Sequence, residues 1–363
     1  MPCGYPFVHA LWGRFRGGGL RFGMVKRVTV AVCTFNRSRH LRACVDALAA
    51  QTFAVDGFDI LIVDNASTDD TSEVAAELAA RHANVLYVLA PKQGAGPARI
   101  EAMRQTKTPL LAYMDDDQIA RPDWLANLVA PFDAVPDLAI AGGEVLPVWE
   151  TPRPDWLDDS FLKFYSVDLG WSKVARPLAD GEWLLEGNIC FDVEALRRAG
   201  GFDERFGPRG TAFVYGEGFV IEVIRRAGGI AWYVPGAIAD HLVHADRMTP
   251  DWYAQRVFWQ GVTDSVVDDE RFRRFGVHTA RNEPLRRMLG LDGPRSALDG
   301  ADFFFQGVGA TLIGTLCPVL PLSPNDWRQL AALPTTDRNS LILNVGRYYN
   351  LGYLLNRQGI IRF

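Results

Sequence analysis

The chain has 363 residues, 48% of them hydrophobic, with 38 basic against 43 acidic side chains and a formal charge of -5. That is enough apolar material for a substantial core, with room for two ordinary domains or one domain and a long appendage. The mild negative charge excludes a general nucleic-acid binder, which would show a concentrated basic face.

The five cysteines, Cys3, Cys33, Cys44, Cys190 and Cys317, form no C-x-x-C pair. They fit neither a disulfide framework nor a zinc site and point to a reducing, cytoplasmic compartment. Residues 1–24 carry arginines and a glycine triplet and lack the continuous apolar stretch of a signal peptide. They read as a disordered or mis-assigned tail, with ordered chain from residue 25. From there two periodicities alternate. "VTVAVC" (28–33) is a β-branched run, "SRHLRACVDALAA" (38–50) has apolar positions at helical spacing, and "FDILIVD" (58–64) is a strand again. Asp70 with Glu73 predicts a capping box opening the helix "TSEVAAELAARH". A strand at "NVLYVLA" (84–90), a helix from Gly96 to Thr106 and a strand at "PLLAYMD" (109–115) follow. Four apolar strands separated by helices imply a mostly parallel sheet covered on both faces. Such sheets take ligands beyond the carboxyl ends of their strands.

The stretches after the four strands are "CTFNR" (33–37), "VDNASTDDT" (63–71), "KQGAGPAR" (92–99) and the triplet Asp115, Asp116, Asp117. The triplet is unusual, because like charges repel and no lysine or arginine lies within three positions of it. A metal ion is the leading candidate for the missing cation; the plain alternative is a solvated acidic turn before the helix start at Pro122.

Together these stretches resemble the nucleotide-sugar-binding half of family 2 glycosyltransferases with a GT-A fold. Three later segments extend the resemblance to roughly residues 27–262: "EGNICFDVEALRRAGGFDERFG" (186–207), "YGEG" (215–218) and "DHLVHADRMT" (240–249). It implies a GT-A-type α/β domain over 25–262, divided into a nucleotide-binding half (25–118) and an acceptor half (119–262). It also implies inverting transfer from a nucleotide sugar, most simply a UDP-sugar, to a glycan, lipid-linked or small-molecule acceptor. A departing diphosphate develops negative charge, which a hard divalent cation such as Mn2+ or Mg2+ stabilises. Matching the family's Asp-x-Asp signature, Asp117 is expected on the metal, Asp115 on the ribose or on the metal through water, and Asp116 as the spacer. His241 corresponds to a histidine that the family commonly adds as a metal ligand.

Other residues follow from position and chemistry. Asp64, closing a buried strand, can accept from the imide N–H of uracil, or else cap a helix. Thr34 and Asn36 can line base and ribose, or make a simple turn. Arg99 after the small residues of "GAGP" can bind the diphosphate, although Ile100 stands where the family usually has asparagine. Asn188 can donate to sugar hydroxyls or hold a turn, and Arg247 can neutralise the diphosphate or lie on the surface. The family's catalytic base is usually the aspartate of a Glu-Asp pair, but Gly218 occupies that position, which leaves Glu217 as the nearest carboxylate.

Residues 142–159, rich in proline and tryptophan, read as an irregular acceptor-side loop, and 263–363 as a mainly helical extension. The uncharged stretch 303–322 is interrupted by glycines and prolines, so it suggests peripheral membrane contact or a buried helix over a span. "QRVFW" (255–259) does not match the Q-x-x-R-W spacing of the family's processive polymerases, so single transfer is expected. Two other classes remain open: a catalytically silent nucleotide-sugar-binding protein and a nucleotidyltransferase.

Overall fold

The first third of the chain folds as its periodicities require. A computed structural model describes residues 26–167, 170–209, 212–214 and 217–276, with Tyr349, Gly352, Tyr353 and Asn356. The tail 1–24 and the stretch 303–322 lie outside the described residues. Strands and helices alternate as β1 (Val28–Thr34), α1 (Ser38–Ala49), β2 (Phe58–Asp64), α2 (Thr71–Arg81), β3 (Val85–Leu89), α3 (Ala95–Gln105) and β4 (Leu110–Asp115). Then come β5 (Gln118–Ala120), α4 (Trp124–Val129), α5 (Pro131–Ala134), β6 (Leu138–Trp149), β7 (Arg176–Pro177) and β8 (Asn188–Asp192). The described order closes with α6 (Val193–Arg198), β9 (Gly207–Arg209), β10 (Ala212–Val214), α7 (Glu217–Arg226), β11 (Ile230–Val243) and α8 (Pro250–Phe275).

The main sheet runs β3-β2-β1-β4-β8-β6-β11-β5, with β7 beside β11. Strands β3, β2, β1 and β4 are parallel, β8 is antiparallel to both β4 and β6, and β11 returns parallel to β6. Alternation along each strand sorts side chains onto two faces. Val28, Val30 and Val32 of β1 join Phe58, Ile60 and Ile62 of β2 under Leu41, Leu48 and Leu78 of α1 and α2, with Trp124 and Leu128 of α4. Ala31, Leu61 and Val63 face the other way, toward Ala98, Leu196, Val220 and Ile224 of α3, α6 and α7. This is the period-two signature of a sheet buried on both sides.

Three sequence expectations change. The helix start at α2 is not a capping box: Asp70 makes no side-chain cap bond, and Asp69 Oδ1 instead accepts from Thr71 N at 3.1 Å and Thr71 Oγ1 at 2.5 Å. Residues 142–149 are strand, not loop, since they form the last eight residues of β6. Gly143 sits there because β11 passes so close: a Cβ on it would lie 1.9 Å from the Ala237 carbonyl, where β11 bulges between Val234 and Ile238, while a Cβ on Gly142 would press on the Leu184 side chain. The boundary expected at 262 falls inside α8, one continuous helix of 26 residues. Thr249 caps it by accepting from Trp252 N at 3.2 Å, Pro250 fills its first position, and Gly276 at φ 67° ends it in the left-handed conformation. Its inner face packs with Leu157, Phe161 and Tyr165 in an aromatic cluster, and Tyr349 and Tyr353 donate to Asp264 at 2.6 Å and Asp268 at 3.1 Å.

Candidate active site

Three adjacent strands end together: Thr34 of β1 stands beside Asp64 of β2, and Cys33 beside Asp115 of β4. Since β2 and β4 flank β1 on opposite sides, their exit loops diverge and leave a crevice at the point where the strand order reverses. Side chains bind these loops to one another. Asn36, at φ 53°, accepts from Thr68 N at 2.7 Å, and its own N–H donates to Ser67 Oγ at 3.0 Å. Buried Asn65 donates to Lys92 O at 2.7 Å and accepts from Gly94 N at 2.6 Å, which fixes the entry to α3.

The acidic triplet spans the end of β4 and the turn into β5. Its counter-charges come from far along the chain. Arg37 Nη1 donates to Asp116 Oδ1 at 2.9 Å and to Asp117 Oδ2 at 2.6 Å. Arg247 Nη2 is 3.5 Å from Asp117 Oδ2, and His241 Nε2 is 3.5 Å from Asp117 Oδ1. Strand pairing delivers the histidine: β11 sets His241 opposite Gln118, and Leu242 N donates to Asp117 O at 3.0 Å. Burial works to raise the pKa of Asp117, but His241, Arg37 and Arg247 outweigh it and hold the carboxyl well below the usual range. Burial pushes Asp116 up to about 6 although Arg37 opposes it, and burial with the Asp117 charge raises Asp115 against Arg99, His241 and Arg37. One firmly ionised carboxylate, Asp117, thus stands beside two that are costly to ionise, a place where added positive charge is favourable.

The other expected residues separate into two groups. Thr34, Asp64 and Asp115 stand at strand ends, Asn36 in the loop after β1, and Asp116, Asp117, His241 and Arg247 at the acidic turn, Asp64 being only 1% exposed and accepting from Ser67 N at 2.9 Å and Tyr87 Oη at 3.0 Å. Arg99 is ion-paired to Glu186. The small residues before it serve protein packing: a Cβ on Gly96 would lie 2.3 Å from Phe206 O. Asn188 is fully buried, accepts from Trp124 Nε1 at 2.7 Å, and donates to Glu144 O at 2.9 Å and Ala237 O at 2.8 Å. Both amide hydrogens are committed inside the protein, so none is left for a sugar hydroxyl. Glu217 is the first residue of α7; its side chain, with Tyr215 and Gly216, lies outside the described residues. Gly218 is exposed with open space around it and does not use the positive φ that glycine permits. Glu222 is held by Arg226 at 3.0 Å and Arg271 at 2.7 Å.

Sequence reasoning missed Arg37, Asn65, Gln118 and Glu186. Arg37 closes the quoted "CTFNR", but nothing local signals that its partners lie about 80 positions on. Among the described residues no three His, Cys, Asp or Glu side chains group as a protein-only metal cage requires. A small hard cation held by one or two protein groups and completed by phosphate oxygens and water needs no such cage, and Asp117 with His241 offers two. Gln118 is fully buried with neither its nitrogen nor its oxygen hydrogen-bonded, and the Nδ1 of buried His241 is unpartnered too. Gly187 keeps space beside them: a Cβ there would lie 2.4 Å from both Asp115 Oδ2 and Gln118 Nε2. These features fit a polar, cation-bearing ligand.

Comparison with known proteins agrees with this fold. Residues 29–206 match the family model described as Glycosyl transferase family 2. A glucosyl-dolichyl phosphate glucuronosyltransferase of Haloferax volcanii is 25% identical over 246 residues, 67% of this chain and 77% of the relative. A validoxylamine A glucosyltransferase of Streptomyces hygroscopicus subsp. jinggangensis is 27% identical over 207 residues, and the match spans 50% of this chain and 48% of that protein. Among solved structures, a mannosyltransferase from Pyrobaculum calidifontis in complex with GDP-Man and Mn2+ shares the fold with a TM-score of 0.54 at 20% identity, covering 93% of this chain and 89% of that one.

Proposed function

The chain belongs to glycosyl transferase family 2 through residues 29–206, and from that premise we propose a metal-dependent, inverting, single-transfer enzyme whose donor is a UDP-sugar. Transfer of a sugar from a nucleotide sugar is the activity of the family; the metal, the stereochemistry and the base are the proposal. The observation that carries it is the acidic turn at the strand-order reversal, with Asp117 set against His241 and Arg247.

Asp117 and His241 would hold the divalent cation, Mn2+ or Mg2+, which when bound supplies charge stabilisation to the leaving diphosphate. Asp115 faces the ribose, Asp64, Thr34 and Asn36 border base and ribose, and Arg247 approaches the diphosphate. Arg99 acts through Glu186, fixing the segment that carries Gly187. Glu217 takes the proton of the acceptor hydroxyl as that oxygen bonds to the anomeric carbon and the bond to the diphosphate breaks. Of the acceptor classes, a lipid-linked sugar is supported by the Haloferax relative, whose name carries a glucosyl-dolichyl phosphate. Among the described residues no helix is long and apolar enough to cross a membrane; contact with a lipid-linked acceptor would be peripheral, from the cytoplasmic side.

A panel of nucleotide sugars, each melted with the protein in Mn2+ and in EDTA, tests this reading. Ligand at a hundred times its dissociation constant stabilises by about 2.7 kcal/mol, so a UDP-sugar with Mn2+ should raise the melting temperature by several degrees. Equal shifts in EDTA would sink the metal role, and a shift confined to another nucleotide would move the base assignment. Gly218 in place of the family's aspartate favours one second reading, a binder without turnover. Donor binding with no transfer to any acceptor would select it.

A further inference from the structure

We propose that Arg37 is a resident stand-in for the donor-site cation. Its guanidinium holds Asp116 and Asp117 together, and a divalent ion that takes both carboxylates must displace it. The inference rests on the metal-dependent reading above and adds to it a residue that sets how tightly the site takes metal before the donor arrives.

The geometry is that of a cation bridging two carboxylates, since a single nitrogen, Nη1, makes both contacts at 2.6 and 2.9 Å. The arginine also lies on the solvent side of the site: its side chain is 34% exposed, those of Asp116 and Asp117 6% and 4%. It can therefore return to water at small cost, whereas the acids cannot. Its backbone is held independently, as its N–H donates to Thr71 Oγ1 at 3.2 Å, so the side chain can leave without dragging the start of α1. Arg37 and Arg247 against the three carboxylates of the triplet leave the site one charge negative, and a divalent ion in place of Arg37 balances it. Arg247 is no substitute, because at 3.5 Å it approaches Asp117 alone.

The test is Mn2+ binding, read from the free-ion signal in electron paramagnetic resonance, beside melting in EDTA. Wild type, Arg37→Met, Arg37→Lys and Asp117→Asn are compared with and without UDP. Without nucleotide, Arg37→Met should bind Mn2+ about tenfold to a hundredfold more tightly than wild type, the size of one charge-assisted hydrogen bond that no longer has to be given up. Arg37→Lys, with shorter reach, should bind severalfold more tightly, and it keeps the question answerable if the methionine variant does not fold. In EDTA, Arg37→Met should melt about 5–10 °C lower, because two buried carboxylates lose their partner, and Mn2+ should restore it. Mn2+ affinity equal to or weaker than wild type in both folded variants would overturn the stand-in role while leaving the metal site intact. No Mn2+ binding by any variant even with UDP, or undiminished binding by Asp117→Asn, would instead overturn the metal reading, and the stand-in role with it.

Discussion

Replacing Asn188 by alanine separates a structural from a sugar-binding role for this residue. The substitution leaves the Trp124 indole N–H and the carbonyls of Glu144 and Ala237 without their present partner, in a place where the side chain is fully buried. A buried indole N–H left unmade costs about 1–3 kcal/mol and each carbonyl about 1 kcal/mol, for a total of about 3–5 kcal/mol. On a domain of this size that corresponds to roughly 6–15 °C in melting temperature, or a clear fall in urea midpoint at unchanged m-value. Asn188→Asp sharpens the test, because it keeps the shape but turns an acceptor toward two carbonyls; it should be at least as damaging. Hydrogen bonding to sugar hydroxyls makes the opposite forecast, since a carboxylate accepts well from hydroxyls. If both variants lost less than about 1 kcal/mol of stability while donor affinity collapsed in Asn188→Ala and held in Asn188→Asp, the internal role of Asn188 would be wrong.

Asp117→Ala should abolish Mn2+-dependent stabilisation by a nucleotide sugar, as followed by melting; full metal-stimulated turnover by this variant would end the assignment. Glu217→Gln should keep donor affinity, measured by calorimetry, and lose roughly a hundredfold in transfer rate; an unchanged rate would move the base elsewhere. Gly187→Ala, whose Cβ would press on Asp115 and Gln118 at 2.4 Å, should cost about 1–3 kcal/mol in stability and weaken nucleotide binding, and wild-type affinity would show that the space beside Gly187 is not used. The hydrogen bond from Arg176 lowers the pKa of Glu182, below the ordinary 4.5. Its stabilisation is present above that value and lost as pH falls through the lowered one, so Glu182→Gln should flatten the decline of stability in acid; parallel pH profiles would refute the coupling.

The N-terminal half of the fold was legible because its signals are local. Val28, Val30 and Val32 alternate with Ala31, the helices bury every third or fourth residue, and Thr34, Asp64 and Asp115 fall at strand ends that a parallel sheet must align. What was not legible depends on approach between distant segments. Residues 142–149 read as loop but continue β6, with Gly143 admitting the bulge of β11, and Gly96 reads as a phosphate turn but admits the backbone of 203–206. The site shows the same division. The acidic triplet announced itself as unbalanced, yet its balance comes from Arg37, Arg247 and His241, which only the folded topology brings near. Glu217, legible only as the carboxylate nearest to Gly218, begins α7.

The hydrogen bond from Leu242 N to Asp117 O, at 3.0 Å, gives the two halves of the molecule a common mechanical joint. On one side of it is the turn that faces the donor; on the other, β11 ends at Val243 and α8 begins at Pro250, a short tether to the longest helix described. Displacement of α8 would be felt at the end of β11 and, through this backbone hydrogen bond, at the turn that carries the acidic triplet. If Asp117 holds the cation as proposed, tension on α8 is registered at the main chain of the residue that receives it.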